Sequence, residues 1–255
     1  AAEPESPPAR KSARVRPKVE YNEDKLARAG EDEEQTPAQK GKSAPASVAP
    51  PPPGRVLPKR MPIPKRNANG ELVFPDYPEF RPNLTPKEVL QMGSFGGTYF
   101  RSIKSGVTGK TYAADQWKEF PADWFEGLNI NAKITSQTYR EQVNTYKVNC
   151  GGDLYMWESS GWINECDPYG WFQWYCRFYL GRRTTDDERQ VGRGLRCMGP
   201  TGRWRIRLCN MIAQKGKKFD DPSISPVIRQ TLQHWGFKLT EPLYLQHCKK
   251  YGYRA

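Results

Sequence analysis

Nine arginines and no lysine fall between residues 177 and 207: Arg177, Arg182, Arg183, Arg189, Arg193, Arg196, Arg203, Arg205 and Arg207. Only Asp186, Asp187 and Glu188 oppose them, so the segment carries +6. Residues 71–255 together carry +7, so nearly all of their excess charge sits in this stretch. Guanidinium is planar, permanently charged and weakly hydrated, and it grips a phosphate through two parallel hydrogen bonds. A surface serving solubility alone would mix Lys with Arg. The chemistry on offer is recognition of a polyanion. Nucleic acid is expected ahead of acidic protein or anionic lipid, and DNA ahead of RNA. Lys215, Lys217 and Lys218 extend the patch. The competing reading is that these arginines pair with the domain's own acids and bind nothing outside.

Catalytic chemistry has weaker candidates. Asp153, Glu158, Glu165 and Asp167 flank an aromatic run, and paired carboxylates can hold Mg²⁺ or activate water at a phosphodiester. They make an enzyme acting on a nucleic acid or nucleotide the alternative function; a protein-interaction module is a second. Cys150-Gly151-Gly152 would set a thiol on a turn with His234 as base, but no spacing brings the two together. Gly93 to Gly97 resembles a phosphate loop in composition only, because it lacks the Lys-Ser/Thr that follows one. The six cysteines form no CxxC pair and only two histidines accompany them, so no metal and no cofactor is expected. Scattered single thiols read as buried and reduced, which points to an intracellular location.

These groups need elements to hold them. On a helix starting near residue 186, Arg189, Arg193 and Arg196 share one face, and Val191, Leu195 and Met198 take the other. Gly199-Pro200-Thr201-Gly202 is a turn. From Arg203 the alternation Arg-Trp-Arg-Ile-Arg-Leu would suit a strand, but Trp204, Leu208, Met211 and Ile212 align at helical spacing, and the helix is preferred. The pair loosely matches a helix-turn-helix, with Arg203 and Arg207 entering a groove. Residues 167–183 hold seven aromatic side chains in 17 positions. They are either a platform for stacking bases or a core helix. Trp171, Trp174, Tyr175 and Phe178 recur at i, i+3, i+4, i+7, which favours the core. Further helix starts are Thr85-Pro86-Lys87-Glu88, Thr185 with Glu188, Ser225-Pro226 and Thr240-Glu241-Pro242. Residues 135–147 and 153–160 also read as helical.

Composition sets the organisation. Residues 1–70 contain 13 of the 23 prolines but a single aromatic, Tyr21. So few large apolar groups cannot offset the entropy of ordering, about 1–2 kcal/mol per residue. A disordered basic, Pro-rich tail is expected over 1–70, and one aromatic-rich, mainly α domain over 71–255 with irregular Gly/Pro loops and a small sheet at most. The tail carries a basic cluster (Arg10, Lys11, Arg14, Arg16, Lys18), an acidic block from Glu31 to Glu34, and a second basic strip (Arg55, Lys59, Arg60, Lys65, Arg66). It reads as a nuclear-import signal, a nucleic-acid arm or a solvated linker. No apolar run approaches the length of a membrane span, and Ala-Ala-Glu-Pro at residues 1–4 shows no signal-peptide core. No membrane partner is expected.

Four segments carry a resemblance: Phe74 to Asn83, Gly93 to Tyr99, Asp167 to Arg183 and Ile224 to Trp235. Together they resemble a functionally unassigned family of eukaryotic, largely fungal proteins, over about residues 71–245. The resemblance implies a basic low-complexity N-terminal tail and an intracellular, nuclear setting. It supplies no activity and no catalytic residue.

Overall fold

The computed structural model describes residues 51–254. The first basic cluster and the acidic block of the expected tail lie outside the described residues. In chain order the elements begin with an antiparallel pair, β1 (Lys65–Arg66) and β2 (Leu72–Val73), with Lys65 opposite Val73. Helix α1 (Pro86–Met92) follows, then a second antiparallel pair, β3 (Ile103–Lys104) and β4 (Thr111–Tyr112). The rest is helical: α2 (Ile130–Lys133), α3 (Leu154–Ser159), α4 (Trp171–Tyr179), α5 (Asp187–Met198), α6 (Arg203–Lys215), α7 (Pro226–His234) and α8 (Glu241–Tyr251). The protein is mainly α, as its sequence indicates.

The core forms around α4. Trp174, Tyr175, Cys176 and Phe178 are fully buried, and the Phe74 and Phe80 rings pack on them, Phe80 edge-on to Tyr175 with centroids 6.2 Å apart. The polar atoms of these rings find partners, as buried Trp and Tyr require. Trp171 Nε1 donates to Gln190 O at 3.0 Å, Trp174 Nε1 to Asp187 Oδ1 at 2.8 Å, and Tyr175 OH to Leu84 O at 2.6 Å. These bonds tie α4 to α5 and to the entry of α1. The aromatic run is the centre of the core, with Tyr169 and Trp171 at its margin.

Local signals place the flanking helices. The Thr85 hydroxyl accepts the Glu88 N–H at 3.1 Å while Glu88 Oε2 accepts the Thr85 N–H at 2.6 Å, a complete capping box. Gly93, at φ 97°, closes the helix. At α5 the Thr185–Glu188 box does not form: the N-cap residue is Asp186, with no side-chain cap bond, the Thr185 hydroxyl accepts the Arg55 N–H, and Asp187 accepts from both N–H and Oγ1 of Thr184, at 2.9 and 2.7 Å. From Arg203 the helix prevails over the strand. Residues 135–147 differ from expectation, forming only one short 3₁₀ turn at Glu141–Val143. Side chains there bond the backbone in competition with a helix: Ser136 Oγ accepts the Thr138 N–H at 3.2 Å, and Asn144 Nδ2 donates to Val148 O at 2.7 Å.

Residues 51–70, assigned by composition to the tail, are held by the domain. Asn164 Nδ2 donates to Pro52 O, Leu57 N–H to Arg183 O at 2.8 Å, Thr185 N–H to Arg55 O at 3.0 Å, and Met61 N–H to Gly181 O at 2.9 Å. The chain forms an extended strap over residues 181–185. The backbone supplies these bonds, and hydrophobic composition does not register it.

Candidate polyanion face and aromatic cavity

The arginine stretch divides into two populations. Arg177 binds Glu119 at 2.8 Å and Asp167 at 3.0 Å, and Arg182 binds Asp167 at 2.6 Å. Arg183 binds Asp76 at 2.7 Å and lies 3.8 Å over the Phe178 ring, while Arg189 grips Asp186 through two nitrogens at 2.6 and 2.8 Å. Burial raises the Asp76 pKa, but the Arg183 hydrogen bond and charge outweigh it and hold the carboxyl below its ordinary value. Arg205 is buried with its guanidinium 5.2 Å from the Phe237 ring centroid, and burial pushes its pKa down. These five were expected among the phosphate contacts. The structure engages them inside the fold, because carboxylates 58 and 107 residues away in sequence close onto Arg177 and Arg183, and nearer acids close onto Arg182 and Arg189.

Arg193 belongs to neither surface nor core. It is half-buried, donates to Trp162 O at 3.2 Å and Gln190 Oε1 at 2.9 Å, and holds its guanidinium 5.2 Å from the Trp162 ring and 5.5 Å from the Trp235 ring.

The outward population is smaller and lies mostly on α6. Arg203 is exposed and Arg207 half-buried; one turn apart, they line a shallow groove with Asn210 and Gln214. Lys215, Lys217 and Lys218 are exposed at and beyond the end of α6, and Arg196 is exposed on α5. Arg55, Lys59 and Arg60, from the second basic strip, are exposed on the strap.

The carboxylates weighed for catalysis do not assemble. Asp153 caps α3 by accepting the Met156 N–H at 2.8 Å, and Glu158 accepts from Ser105 Oγ and the Gly106 N–H. Glu165 is exposed, and Asp167 is fully buried between Arg177 and Arg182. Among the described residues no group of three or more His, Cys, Asp or Glu is placed to hold a metal. The glycine loop is no phosphate cradle either. The Phe95 N–H goes to His234 Nε2 at 3.0 Å, the Gly96 N–H to Asn144 Oδ1 at 2.8 Å, and the Gly97 and Thr98 N–H groups to carbonyls within the loop. Gly97, at φ 81°, is required by packing, since a Cβ there would lie 2.3 Å from Ala132 O.

That loop instead forms one wall of a cavity of about 380 Å³. Its other walls include Trp157, Trp162, Trp171, Trp235 and Tyr169. Burial pushes the Tyr169 pKa up to about 12. Among the described residues Arg101, Asp153 and Arg193 are the lining groups with full charge, and the exposed amides of Gln137 and Asn149 belong to the same lining. Trp204 lines both this cavity and the α6 groove, with the Arg203 guanidinium 4.9 Å from its ring.

Cys150 and His234 meet at the cavity after all. Sγ lies 3.2 Å from Thr231 Oγ1 and 3.8 Å from His234 Nδ1. A backbone N–H can only donate, so Nε2 accepts from Phe95 and the ring proton of a neutral imidazole resides on Nδ1. Gln230 Nε2 also sits 3.0 Å from Nε2. Burial lowers the His234 pKa to about 3 and keeps the ring neutral. The nitrogen nearest the thiol therefore already carries a proton, and His234 in this arrangement is a donor toward Sγ and not its base. Eighty-four residues separate the two, so no local pattern announces the meeting.

Comparison with models of known families, with curated proteins and with solved structures gives no match. No helix among the described residues is long and apolar enough to cross a membrane.

Proposed function

We propose that the protein binds nucleic acid, with duplex DNA ahead of RNA, through the outward basic groups of α6 and its surroundings. One observation carries the reading: Arg203 and Arg207 stand one turn apart along a groove whose other polar groups, among the described residues, are the neutral Asn210 and Gln214. Among the described residues no carboxylate lines that groove, and Lys215, Lys217 and Lys218 continue the positive charge past its end. A helix that follows another through a four-residue turn, with arginine at its first turn, suits placement against a phosphate backbone. The exposed cations of the strap and the basic cluster from Arg10 to Lys18 would add sequence-independent affinity, and a nuclear setting fits such a chain.

A second reading is an interaction module whose arginines serve the fold. It is favoured by the pairing of Arg177, Arg182, Arg183 and Arg189 with the protein's own acids. Fluorescence anisotropy of labelled duplex DNA and RNA at low salt separates the two. The nucleic-acid reading expects binding that weakens as a power of salt concentration. No change in anisotropy with either polymer would leave the interaction module standing.

A further inference from the structure

We propose that the aromatic cavity receives a single unstacked nucleobase from the strand held along α6. The inference rests on the nucleic-acid reading and adds what the protein does with the strand it grips.

Three observations carry it. The first is the lining itself. Four indoles (Trp157, Trp162, Trp171 and Trp235) together with Phe95 and Tyr169 face an empty volume of about 380 Å³, within the range of sites that enclose small ligands. Every base offers a π-face, and stacking on aromatic side chains is how single strands are held without regard to sequence. The second is Arg193. A guanidinium is flat and cationic, and here it already lies against the Trp162 and Trp235 rings at the cavity. It places positive charge where a nucleotide's phosphate would follow its base inward. The third is continuity. Trp204 is a wall of both the cavity and the α6 groove, so a backbone on Arg203 and Arg207 passes within one side chain of the cavity.

The polar lining selects the kind of ring. Arg101 and Arg193 outnumber Asp153 among the charged lining groups, and Gln137 and Asn149 are exposed amides that can both donate to and accept from a base edge. A hydrocarbon ligand would make no use of the Gln137 and Asn149 amides. A heterocycle attached to phosphate satisfies both them and the charge. Eversion is easiest for a base that is already unpaired. The cavity should therefore favour nucleic acid containing a bulged or mismatched base over a fully paired duplex.

The test uses the full chain and three probes: a paired duplex, the same duplex with one bulged adenine, and adenosine monophosphate, read by anisotropy for the duplexes and by tryptophan fluorescence for the nucleotide. The expected result is at least about tenfold tighter binding of the bulged duplex, and quenching by the nucleotide. Asn149→Trp, an exposed position that would place an indole across the cavity, should abolish both the preference and the quenching, while paired-duplex binding and the melting temperature stay as they are. Trp235→Ala should reduce the preference and the quenching in the same direction. Equal binding of the two duplexes by the wild-type protein overturns the proposal even if both bind, as does a preference that survives Asn149→Trp. Quenching by the nucleotide with no binding of either duplex would retain the ring site, overturn its role on a strand and remove the nucleic-acid reading.

Discussion

The Phe95 backbone N–H donates to Nε2 of His234 at 3.0 Å, and the two rings stack with centroids 4.0 Å apart. The bond needs Nε2 unprotonated, so the fold depends on a neutral imidazole. In the unfolded chain this group takes a proton below about pH 6.5, but in the folded protein only near 3. Between these values the unfolded state binds the extra proton. Stability is therefore complete above about pH 6.5 and falls as pH drops toward 3, by at most ~1.4 kcal/mol per pH unit from this residue. His247, also lowered by burial, acts in the same direction. Urea titrations at pH 7, 6 and 5 should show the decline, and His234→Gln should flatten part of it. A wild-type midpoint that does not move from pH 7 to 5 would remove the argument.

Asp167 is fully buried and is shared by Arg177 and Arg182. Asp167→Asn keeps its volume and removes the charge, leaving two largely buried guanidinium groups without their common carboxylate. Breaking a buried pair from one side costs about 3–5 kcal/mol. The loss should appear as a lower denaturation midpoint with an unchanged m-value. A variant as stable as wild type would show that Asp167 does not hold this network together.

The Phe95 turn should be intolerant of a methyl group. Gly97→Ala requires φ near 81° from an L-residue and sets a Cβ 2.3 Å from Ala132 O. We expect a loss of more than about 1 kcal/mol, beyond what a compatible Gly→Ala change would gain. Gly109→Ala, also at positive φ but with nothing within 4 Å, is the control for backbone strain alone and should cost less.

How far the sequence foretold this molecule depended on the range of each interaction. The periodicity of Trp171, Trp174, Tyr175 and Phe178 and the Thr85–Glu88 box are local patterns, and both became the elements they indicated. The strap at residues 52–61 is apolar-poor and held mainly by main-chain bonds, so composition placed it with the tail. The arginine stretch was legible as charge but not as geometry. Asp76, Glu119 and Asp167, which occupy three of its members, are 107, 58 and 10 to 15 residues away from them. The cavity was invisible for the same reason: Phe95, Cys150, Trp162 and His234 come from four separate segments, and only the close-packed glycines at 93, 96 and 97 hint that something must approach that turn.

Arg203 is exposed and Arg207 half-buried along the α6 groove, while their neighbour Arg205 is buried. The most direct measurement is the salt dependence of duplex binding for wild type and for Arg203→Gln/Arg207→Gln. Each phosphate contact contributes roughly 0.9 to the slope of log K against log salt. The double variant should bind more weakly at low salt and lose nearly two units of slope. A double variant whose affinity and slope match wild type would contradict the assignment of the α6 groove as the nucleic-acid face.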